Sequence, residues 1–455
     1  MNREEYDVII IGAGVSGAAQ LYALAQYSDI NKVLLVEKES AAGAINSAPT
    51  NNSQTLHEGD IETNYTFEKA KSLKAKSHFT RAYLEMKDDP NMYFKGPKMV
   101  LGVGETEGEF LRERFEKFKD MYPTLQFLEK DELCTVEPKV CEARREGERL
   151  TAVYNGDGIT VNYAKLAASL INDALVHTKE YDREDNRKEY SAEFNSAVTS
   201  LKKEGSMYTV SLGERKVYAR FISVCAGAHS MYFAKLLKVE GVKELSLLSV
   251  AGNFYFTPKY ITSKIYTVQN PKLPFSAVHG DPDILDTYGE HTRFGPTTRV
   301  IFMLERHKIR TIFDFAKVLT PVFKTLASYT RVMLDKEFFF YVFKHNILFP
   351  MPFLGNYLFT KEARKIIPSL KVSEVKKAKG QGGVRPQIVY TNKKEPLSLG
   401  EAKFEGDNIL FNVTPSPGAT TCVYNGLIDA KKITLNMGGT FNEDGVVATF
   451  GEKPE

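Results

Sequence analysis

Three glycines near the start of the chain have the spacing that suits contact with phosphate groups. Gly12, Gly14 and Gly17 follow an apolar run in the pattern G-x-G-x-x-G. In this pattern the first glycine permits a tight turn, the second lets the backbone approach a pyrophosphate, and the third lets a helix pack on a strand. The N-terminus of that helix would offer free N–H groups to the phosphates. With Val15 and Ser16 between them, these glycines predict a dinucleotide site.

An acidic residue follows at the distance expected of a group that binds ribose. The next apolar segment, residues 32–37, ends at Glu37, about twenty residues after the last glycine. Lys38 comes directly after it, and we expect both residues to contact the dinucleotide. The alternative is a glycine-rich structural turn without a ligand.

The elements around the motif favour the binding site over that alternative. Residues 8–11 are continuously apolar, as in a strand buried on both faces of a parallel sheet. Ala18, Leu21 and Ala25 then recur at helical spacing on one side of the next segment. Strand, glycine turn, helix and second strand together form a βαβ unit.

Composition excludes several classes of protein. The chain has 455 residues, 43% of them hydrophobic, so it can bury a large core and is not disordered. Its net charge of +3 is far from the imbalance of a nucleic-acid-binding protein. We find neither a signal peptide nor the roughly eighteen apolar residues of a membrane-spanning helix. The expected location is therefore the cytosol or the cytoplasmic face of a membrane, with no transmembrane segment.

The four cysteines point to no special chemistry. Cys134, Cys141, Cys225 and Cys422 are too few for a disulfide framework and lack the spacing of a metal site. Cys134 and Cys141 could form only a loose pair. Free thiols in a reducing cytosol are the expectation, and no metal is predicted.

The remaining chain suggests a second structural unit. A long polar loop, residues 41–64, contains His57. Long irregular loops inside compact domains usually have a functional role. Residues 221–227 form a second buried strand that ends at Gly227, whereas residues 249–268 suggest short strands of a separate, mostly antiparallel sheet. The final residues, 438–455, are expected to be a peripheral tail.

Several stretches, read together with the glycine motif, resemble one known family. They are NSQTLHEGDIETNYT (52–66), YTVQNPKLPFSAVHGDPD (266–283), FGPTTR (294–299), GGVRPQ (382–387) and FNVTPSPGATTC (411–422). These stretches are similar to those of the malate:quinone oxidoreductases, which are FAD-dependent enzymes of the D-amino-acid-oxidase-like superfamily. The similarity spans nearly the whole chain.

The resemblance implies a fold and an activity. The fold would be an α/β FAD-binding domain, Rossmann-like and D-amino-acid-oxidase-like, interleaved with an α+β substrate domain that contains a mostly antiparallel sheet. The FAD domain would comprise residues 1–85, 151–240 and 379–455, and the substrate domain residues 86–150 and 241–378. The activity would be oxidation of malate to oxaloacetate, with electrons passed through FAD to membrane quinone. Alternatives are another 2-hydroxy acid as substrate, an amino-acid or amine oxidase that uses oxygen, and a flavin-binding scaffold without catalysis.

The resemblance also implies substrate-binding and catalytic roles for individual residues. Arg385 would clamp a substrate carboxylate, since a guanidinium matches it bidentately. His279 would be the general base, oriented by Asp281 or Asp283, because imidazole titrates near physiological pH. The alternatives are an arginine paired at a sheet edge and a histidine that merely stabilises a turn.

Other residues would complete the site. His57 is the rival base, although contact with flavin or substrate is the favoured role, and Arg293 and Arg299 could hold the second carboxylate of malate. FAD contacts are expected from Gln54 in the polar loop, from Gly227, and from the turn before the last helix. The residues in that turn are Gly418, Ala419 and Thr420, where N–H groups would favour negative charge on the flavin.

An aromatic and basic run, residues 336–359, has two interpretations. Such residues usually form a core, here that of the substrate domain. The other interpretation is that they dip into the bilayer interface, where quinone is found. The sequence favours the core, but a quinone acceptor requires contact with the membrane surface, and this run is the best local candidate for a peripheral contact.

Overall fold

A mostly parallel sheet that begins with the first strand organises the fold. The computed structural model describes residues 3–180, 188–269, 278–287, 290–393, 397–398, 402–414 and 417–454. Part of the resembling stretch, residues 270–277, and the predicted start of the last helix, residues 415–416, lie outside this range.

The helices of the described residues are α1 (Val15–Tyr27), α2 (Phe67–Lys87), α3 (Glu105–Phe118), α4 (Lys130–Val136), α5 (Pro138–Cys141), α6 (Tyr163–Glu180), α7 (His229–Leu236), α8 (Ile284–Thr287), α9 (Thr311–Val318), α10 (Val322–Leu334), α11 (Lys336–Phe343), α12 (Leu354–Ala363), α13 (Cys422–Asn436) and α14 (Glu443–Phe450). The strands are β1 (Glu5–Ile11), β2 (Lys32–Val36), β3 (Tyr93–Lys95), β4 (Lys98–Val103), β5 (Leu125–Glu129), β6 (Leu150–Asn155), β7 (Ile159–Val161), β8 (Glu189–Glu193), β9 (Val198–Glu204), β10 (Met207–Leu212), β11 (Arg215–Val224), β12 (Leu245–Ala251), β13 (Tyr255–Pro258), β14 (Lys264–Thr267), β15 (His279–Asp281), β16 (His291–Gly295), β17 (Arg299–Ile301), β18 (Lys376–Lys377), β19 (Val384–Tyr390), β20 (Leu397–Ser398), β21 (Ala402–Gly406) and β22 (Ile409–Val413).

The first sheet has the order β21-β22-β11-β1-β2-β8, and β10 and β9 extend from β11. Strands β22, β11, β1, β2 and β8 run parallel. Val8 and Ile10 pack into one core and Ile9 into another, so β1 is buried on both faces, as its apolar run predicts. Residues 221–224 of the predicted strand 221–227 form the end of a longer strand, β11. Its residues 215–219 pair with β10 and its residues 218–224 pair with β1.

Three long helices cover one face of this sheet. Helix α1 packs between α6 and α13, and the approach to α13 is close: a Cβ at Gly426 would lie 2.7 Å from the backbone of Ala19. The expectation of a peripheral C-terminal tail is wrong for part of this segment. Helix α14 buries Val446 and Phe450 in the same core as α1, because both face inward at helical spacing.

The second sheet brings together distant parts of the chain. Its order is β18-β13-β16-β15-β14-β4-β6-β5, with antiparallel pairing throughout except between β14 and β4. Strands from residues 98–155 thus share a sheet with strands from 255–295, as an interleaved second domain requires. A third sheet, β17-β12-β19-β20, is antiparallel. One face packs against the first sheet and α9, and the other face packs against α10 and α11.

The expectation of four free thiols is also wrong. Cys134 and Cys141 form a disulfide, while Cys225 and Cys422 are buried thiols outside any disulfide. The chain turns at Glu137–Pro138 between two short helices, α4 and α5, and this turn brings the two α-carbons to 5.6 Å. Within the described ranges, every helix is too short or too polar to span a bilayer.

Candidate functional site

A cavity of about 420 Å³ opens where β1, β2 and β11 end and where the third sheet begins. Its lining comes from the glycine motif, the polar loop after β2, the end of β11, residues 296–298, the start of β19 and the turn before α13. The carboxyl ends of parallel strands are the usual site for ligands in such sheets. The cavity therefore lies where the glycine motif predicts a dinucleotide.

Two of the three motif glycines, Gly12 and Gly17, are packed too tightly for a side chain. Gly12 has a φ of +109°, and a Cβ there would lie 2.6 Å from the carbonyl oxygen of Cys225. A Cβ at Gly17 would lie 2.0 Å from the carbonyl oxygen of Gly12. These contacts bring the start of α1 directly against the strand ends, with Gly14, Val15 and Ser16 on the cavity wall. Helix α1 thus points its N-terminus at the cavity.

Glu37 lies at the end of β2 with its carboxylate held in place. Its Oε2 accepts a hydrogen bond from the N–H of Ala13 at 2.8 Å, and its Oε1 accepts one from the N–H of Glu39 at 2.9 Å. The side chain lines the cavity, and each carboxylate oxygen can accept a further bond. This arrangement fits the hydroxyl groups of a ribose.

A cluster of charged residues closes the same end of the cavity. Glu305 is buried and forms ion pairs with Lys38 and with Lys308 at 3.1 Å, and Nδ1 of His229 lies 3.4 Å from its Oε1. Burial and the charge of Lys308 lower the pKa of Lys38 to about 8. The sequence indicated Lys38 but neither Glu305 nor helix α9, whose Thr311 and Asp314 also line the cavity. No local pattern marks them, since the contacts join segments far apart in the chain.

Most of the residues predicted to contact FAD line the cavity, so the site fits this cofactor. Those that line the cavity are Gly12, Gly14, Val15, Ser16, Glu37, Lys38, Gly227, Ala419 and Thr420. Gly17, Gln54 and Gly418 lie outside its lining. Gln54 is fully buried and donates from Nε2 to the carbonyl of Pro49 at 3.1 Å, so it shapes the polar loop. Thr420 Oγ1 accepts the backbone N–H of His57 at 3.0 Å, which ties that loop to the turn before α13.

His57 lines the cavity as half of a pair with a carboxylate. Its Nδ1 lies 2.5 Å from Oε1 of the buried Glu62, and its Nε2 lies 3.5 Å from Oγ of Ser53. An Nδ1–H that donates to a carboxylate leaves Nε2 as a proton acceptor. Sequence reasoning missed Glu62, although an acid five residues after a histidine in one loop is a signal that could have indicated it.

Arg385 contributes a positive charge to the cavity wall. It lies on β19 opposite Val250, which also lines the cavity. Desolvation lowers its pKa, and the ionisable groups close enough to oppose this shift are Tyr266, Tyr65 and Tyr341. No carboxylate among the described residues forms an ion pair with it. A half-buried cation without a counter-ion is unfavourable, so this wall is suited to an anion.

His279 lies behind the cavity and is absent from its described lining. Its ring stacks on that of Tyr266, with centroids 4.8 Å apart, and its buried Nε2 has no hydrogen-bond partner in the described part of the chain. Burial, reinforced by the charges of Lys264, Arg293 and Arg385, holds its pKa well below the usual value despite the opposing effect of Asp281. The ring is therefore neutral near pH 7.

The two further arginines occupy different surroundings. Arg293 is fully buried, 3.0 Å from Asp281 and 3.5 Å from Asp283, and it donates to the carbonyl of Pro49 at 2.9 Å. Although burial opposes the effect, Lys264 and Arg293 hold the pKa of Asp281 below its usual range. This network holds the polar loop in place, since Lys264 also donates to the carbonyl of Ser53 at 2.7 Å.

Arg299 lies on β17 beside Ala251 and does not belong to the cavity lining in the described structure. It is half-buried, and its charge acts on Arg306 and Lys377. These neighbours are cations, so Arg299 lies in a positively charged region outside the cavity.

Comparison with known proteins agrees with this geometry. Residues 4–322 match the family model described as malate:quinone oxidoreductase (Mqo). The chain is 41% identical to a probable malate:quinone oxidoreductase of Campylobacter jejuni, over 98% of both chains. It is 39% identical to malate:quinone oxidoreductase of Helicobacter pylori, over 96% of both chains.

Solved structures share the fold at much lower sequence identity. L-α-glycerophosphate oxidase of Mycoplasma pneumoniae with FAD bound superposes with a TM-score of 0.63 at 17% identity, over 96% of both chains. Glycine oxidase of Geobacillus kaustophilus gives 0.60 at 16% identity, over 94% of this chain and 95% of that one. The fold is thus that of FAD-dependent oxidases, as expected. From the family model and these near-full-length relatives, the chain belongs to the malate:quinone oxidoreductase family.

Proposed function

We propose that the protein uses FAD to oxidise malate to oxaloacetate and passes the electrons to a membrane quinone. One observation carries the choice of a carboxylate substrate: Arg385 presents to the cavity a positive charge that no carboxylate of the described residues pairs with. A substrate carboxylate would supply the missing counter-ion through a bidentate pair. The names of the relatives supply malate and quinone as the reaction partners.

The chain's own residues prepare the substrate for oxidation. Arg385 holds the carboxylate next to C2, which fixes the C2 hydrogen and the C2 hydroxyl in one orientation. His57 takes the hydroxyl proton at Nε2, and Glu62 stabilises the resulting imidazolium through Nδ1–H. Bound FAD supplies the redox chemistry, as hydride acceptor for C2 and as donor of two electrons to the quinone.

His57 is our choice of base because it lines the cavity and has a carboxylate partner. His279, the general base predicted from the sequence, remains the alternative, since its Nε2 has no partner in the described structure. His57→Gln should slow bleaching of the flavin by malate about 100-fold or more, and His279→Gln less than tenfold. The measurement is stopped-flow absorbance without oxygen. The opposite order would assign the proton transfer to His279.

We also propose that helices α9–α12 form the surface that contacts the membrane. The run at 336–359 was expected mainly in a core, but much of it is exposed: Phe340 is 66% and Phe353 is 90% accessible. Ile309, Phe313 and Phe323, in or beside α9 and α10, are also exposed. Apolar patches of this extent on a soluble protein usually mark an interaction site.

The charge around these helices favours an anionic phospholipid bilayer as the partner. Within residues 306–365, lysines and arginines clearly outnumber aspartates and glutamates. Amphipathic helices that combine exposed phenylalanine with lysine bind in the interface of such a bilayer. The protein would thus lie on the membrane surface, where quinone is available.

Titration of the flavin absorbance without oxygen tests the proposed reaction. Malate should bleach the flavin, whereas lactate and 2-hydroxyglutarate should do so only at much higher concentration. Arg385→Gln should raise the malate concentration for half-bleaching about 100-fold, since a charge-assisted bidentate pair is lost. Arg299→Gln is the matched control outside the cavity and should change it less than threefold. Bleaching by lactate alone, or an unaffected Arg385→Gln, would overturn the proposal.

A further inference from the structure

A histidine beside the cavity wall has a hydrogen-bond donor that the proposed chemistry does not use. His345 lies in a π-helical turn, Lys344–Leu348, which directly follows α11. Its Nδ1 accepts the backbone N–H of Thr298 at 2.9 Å, and Thr298 lines the cavity. The next residue, Asn346, exchanges two hydrogen bonds with the backbone of Val300, at 3.0 and 2.7 Å. Isolated π-turns occur frequently at functional sites.

The hydrogen bond to Nδ1 determines where the ring carries its proton. Burial and the nearby charge of Lys344 lower the pKa of His345 to about 3, so the ring is neutral near pH 7. A neutral imidazole that accepts at Nδ1 must carry its hydrogen on Nε2. In the described part of the chain, this Nε2–H has no hydrogen-bond partner. His345 therefore offers a neutral donor at a place where charge is excluded.

The ring of His345 is buried among aromatic side chains, and the exposed residues of α11 lie close to it in the chain. The ring centroid of Tyr341 lies 4.1 Å from that of His345, and that of Phe349 lies 4.4 Å away. On the same helix, Phe339 and Phe343 are each 44% accessible. Tyr341 also lies close enough to Arg385 for the guanidinium charge to act on its hydroxyl. The π-turn thus lies between the exposed aromatic surface and the substrate side of the cavity.

We propose that His345, with Tyr341 and Phe349, binds the headgroup of the membrane quinone, and that Nε2–H donates to a quinone carbonyl. A quinone is flat, uncharged and apolar, with carbonyl oxygens that only accept hydrogen bonds. A neutral donor among aromatic rings matches that chemistry better than a charged residue would. This inference rests on the proposed function and adds the location of the acceptor, on the membrane side of the wall formed by residues 296–298.

Two substitutions of the same residue separate the donor from the structural role. His345→Asn places an amide oxygen near the position of Nδ1, so it keeps an acceptor for Thr298 and removes the donor. His345→Gln places an amide nitrogen near the position of Nε2 and so keeps a donor. Binding of a benzoquinone with a short alkyl tail to the oxidised, FAD-loaded protein is measured by calorimetry in detergent-free buffer. We expect about tenfold weaker binding for Asn and less than threefold for Gln, the loss expected for one hydrogen bond.

Phe340→Ser is the control on the exposed surface, and it should leave binding of this water-soluble quinone unchanged. Wild-type affinity in His345→Asn would overturn the proposal, and so would equal weakening by His345→Asn and Phe340→Ser. If neither histidine variant folds, a photoreactive benzoquinone on the wild-type protein replaces them. Labelling of Tyr341, His345 or Phe349 supports the site, and labelling elsewhere, Phe340 included, overturns it. Because the quinone binds without malate, a failure of malate to bleach the flavin would count against the proposed reaction alone.

Discussion

Strand β1 and helix α11 are both almost continuously apolar, yet they have opposite environments. Ile9 and Ile10 in β1 are fully buried between two cores. On α11, Phe340 is 66% accessible, and only Phe338 among the helix residues is buried. Apolar composition alone therefore does not distinguish a core element from a surface element.

The difference arises from how many faces the fold covers. A central strand of a parallel sheet has neighbours on both edges and helices or strands on both faces, so every side chain is enclosed. Helix α11 packs one side against the third sheet through Phe338 and Tyr341. Its other side has no covering element in the described structure. Evolution usually makes such a face polar, and its apolar character here favours a membrane as the partner.

The largest effect is expected at the glycine that joins β1 to α1. Gly17→Ala would place a Cβ 2.0 Å from the carbonyl oxygen of Gly12, a contact that forces the helix away from the strand. We expect the purified variant to have lost most of its FAD. The measurement is the ratio of flavin absorbance at about 450 nm to protein absorbance at about 280 nm. Gly241→Ala is the control, since nothing lies within 4 Å of that Cβ. Normal FAD content in Gly17→Ala would refute this role of the motif.

The next effect contrasts the two apolar regions directly. Ile10→Ala should reduce the free energy of unfolding by about 2–5 kcal/mol, because it leaves a cavity in a closed core. Phe340→Ser should change it by about 0.5 kcal/mol or less, since the ring is mainly in contact with solvent. Urea unfolding followed by circular dichroism measures both. A similar loss in the two variants would show that α11 is covered in solution.

A third prediction concerns the partner of the exposed surface. Phe313 and Phe353 are 76% and 90% accessible, so each can insert into a bilayer without rearrangement of the fold. Replacing either one with serine should weaken binding to anionic vesicles about tenfold, and replacing both should weaken it further. Co-sedimentation with vesicles at low and high salt measures this. Full binding by the double variant would exclude this surface as the membrane contact.

A fourth prediction is a dependence of stability on pH. The pKa of His345 is about 3 in the folded protein, below the roughly 6.5 of an unfolded chain. Between these values the unfolded state binds a proton that the folded state does not, so stability falls as the pH drops below about 6.5. From pH 7 to pH 5 this group should cost about 2 kcal/mol. His345→Asn should show a correspondingly smaller loss in urea unfolding, and an identical loss would contradict the assigned pKa.

Part of the site could be predicted from the sequence because some of its residues belong to local motifs. Gly12, Gly14 and Glu37 follow from one βαβ pattern, and all three line the cavity. Arg385 and His57 followed from the resemblance of their segments to one family, and they also line the cavity. By contrast, Glu305 beside Lys38 and His345 beside Thr298 depend on contacts between distant segments. No spacing within either segment predicts such contacts.

By itself, the amino-acid sequence determined the glycine turn, the parallel strands and the family, because steric limits and short-range periodicity act within a few residues. Only the tertiary structure decided which apolar residues are enclosed, that Cys134 pairs with Cys141, and that the last helix, α14, belongs to the core. These outcomes depend on which surfaces meet when the chain closes. Burial is a property of the whole packed molecule, so the same run of phenylalanines can become core or surface.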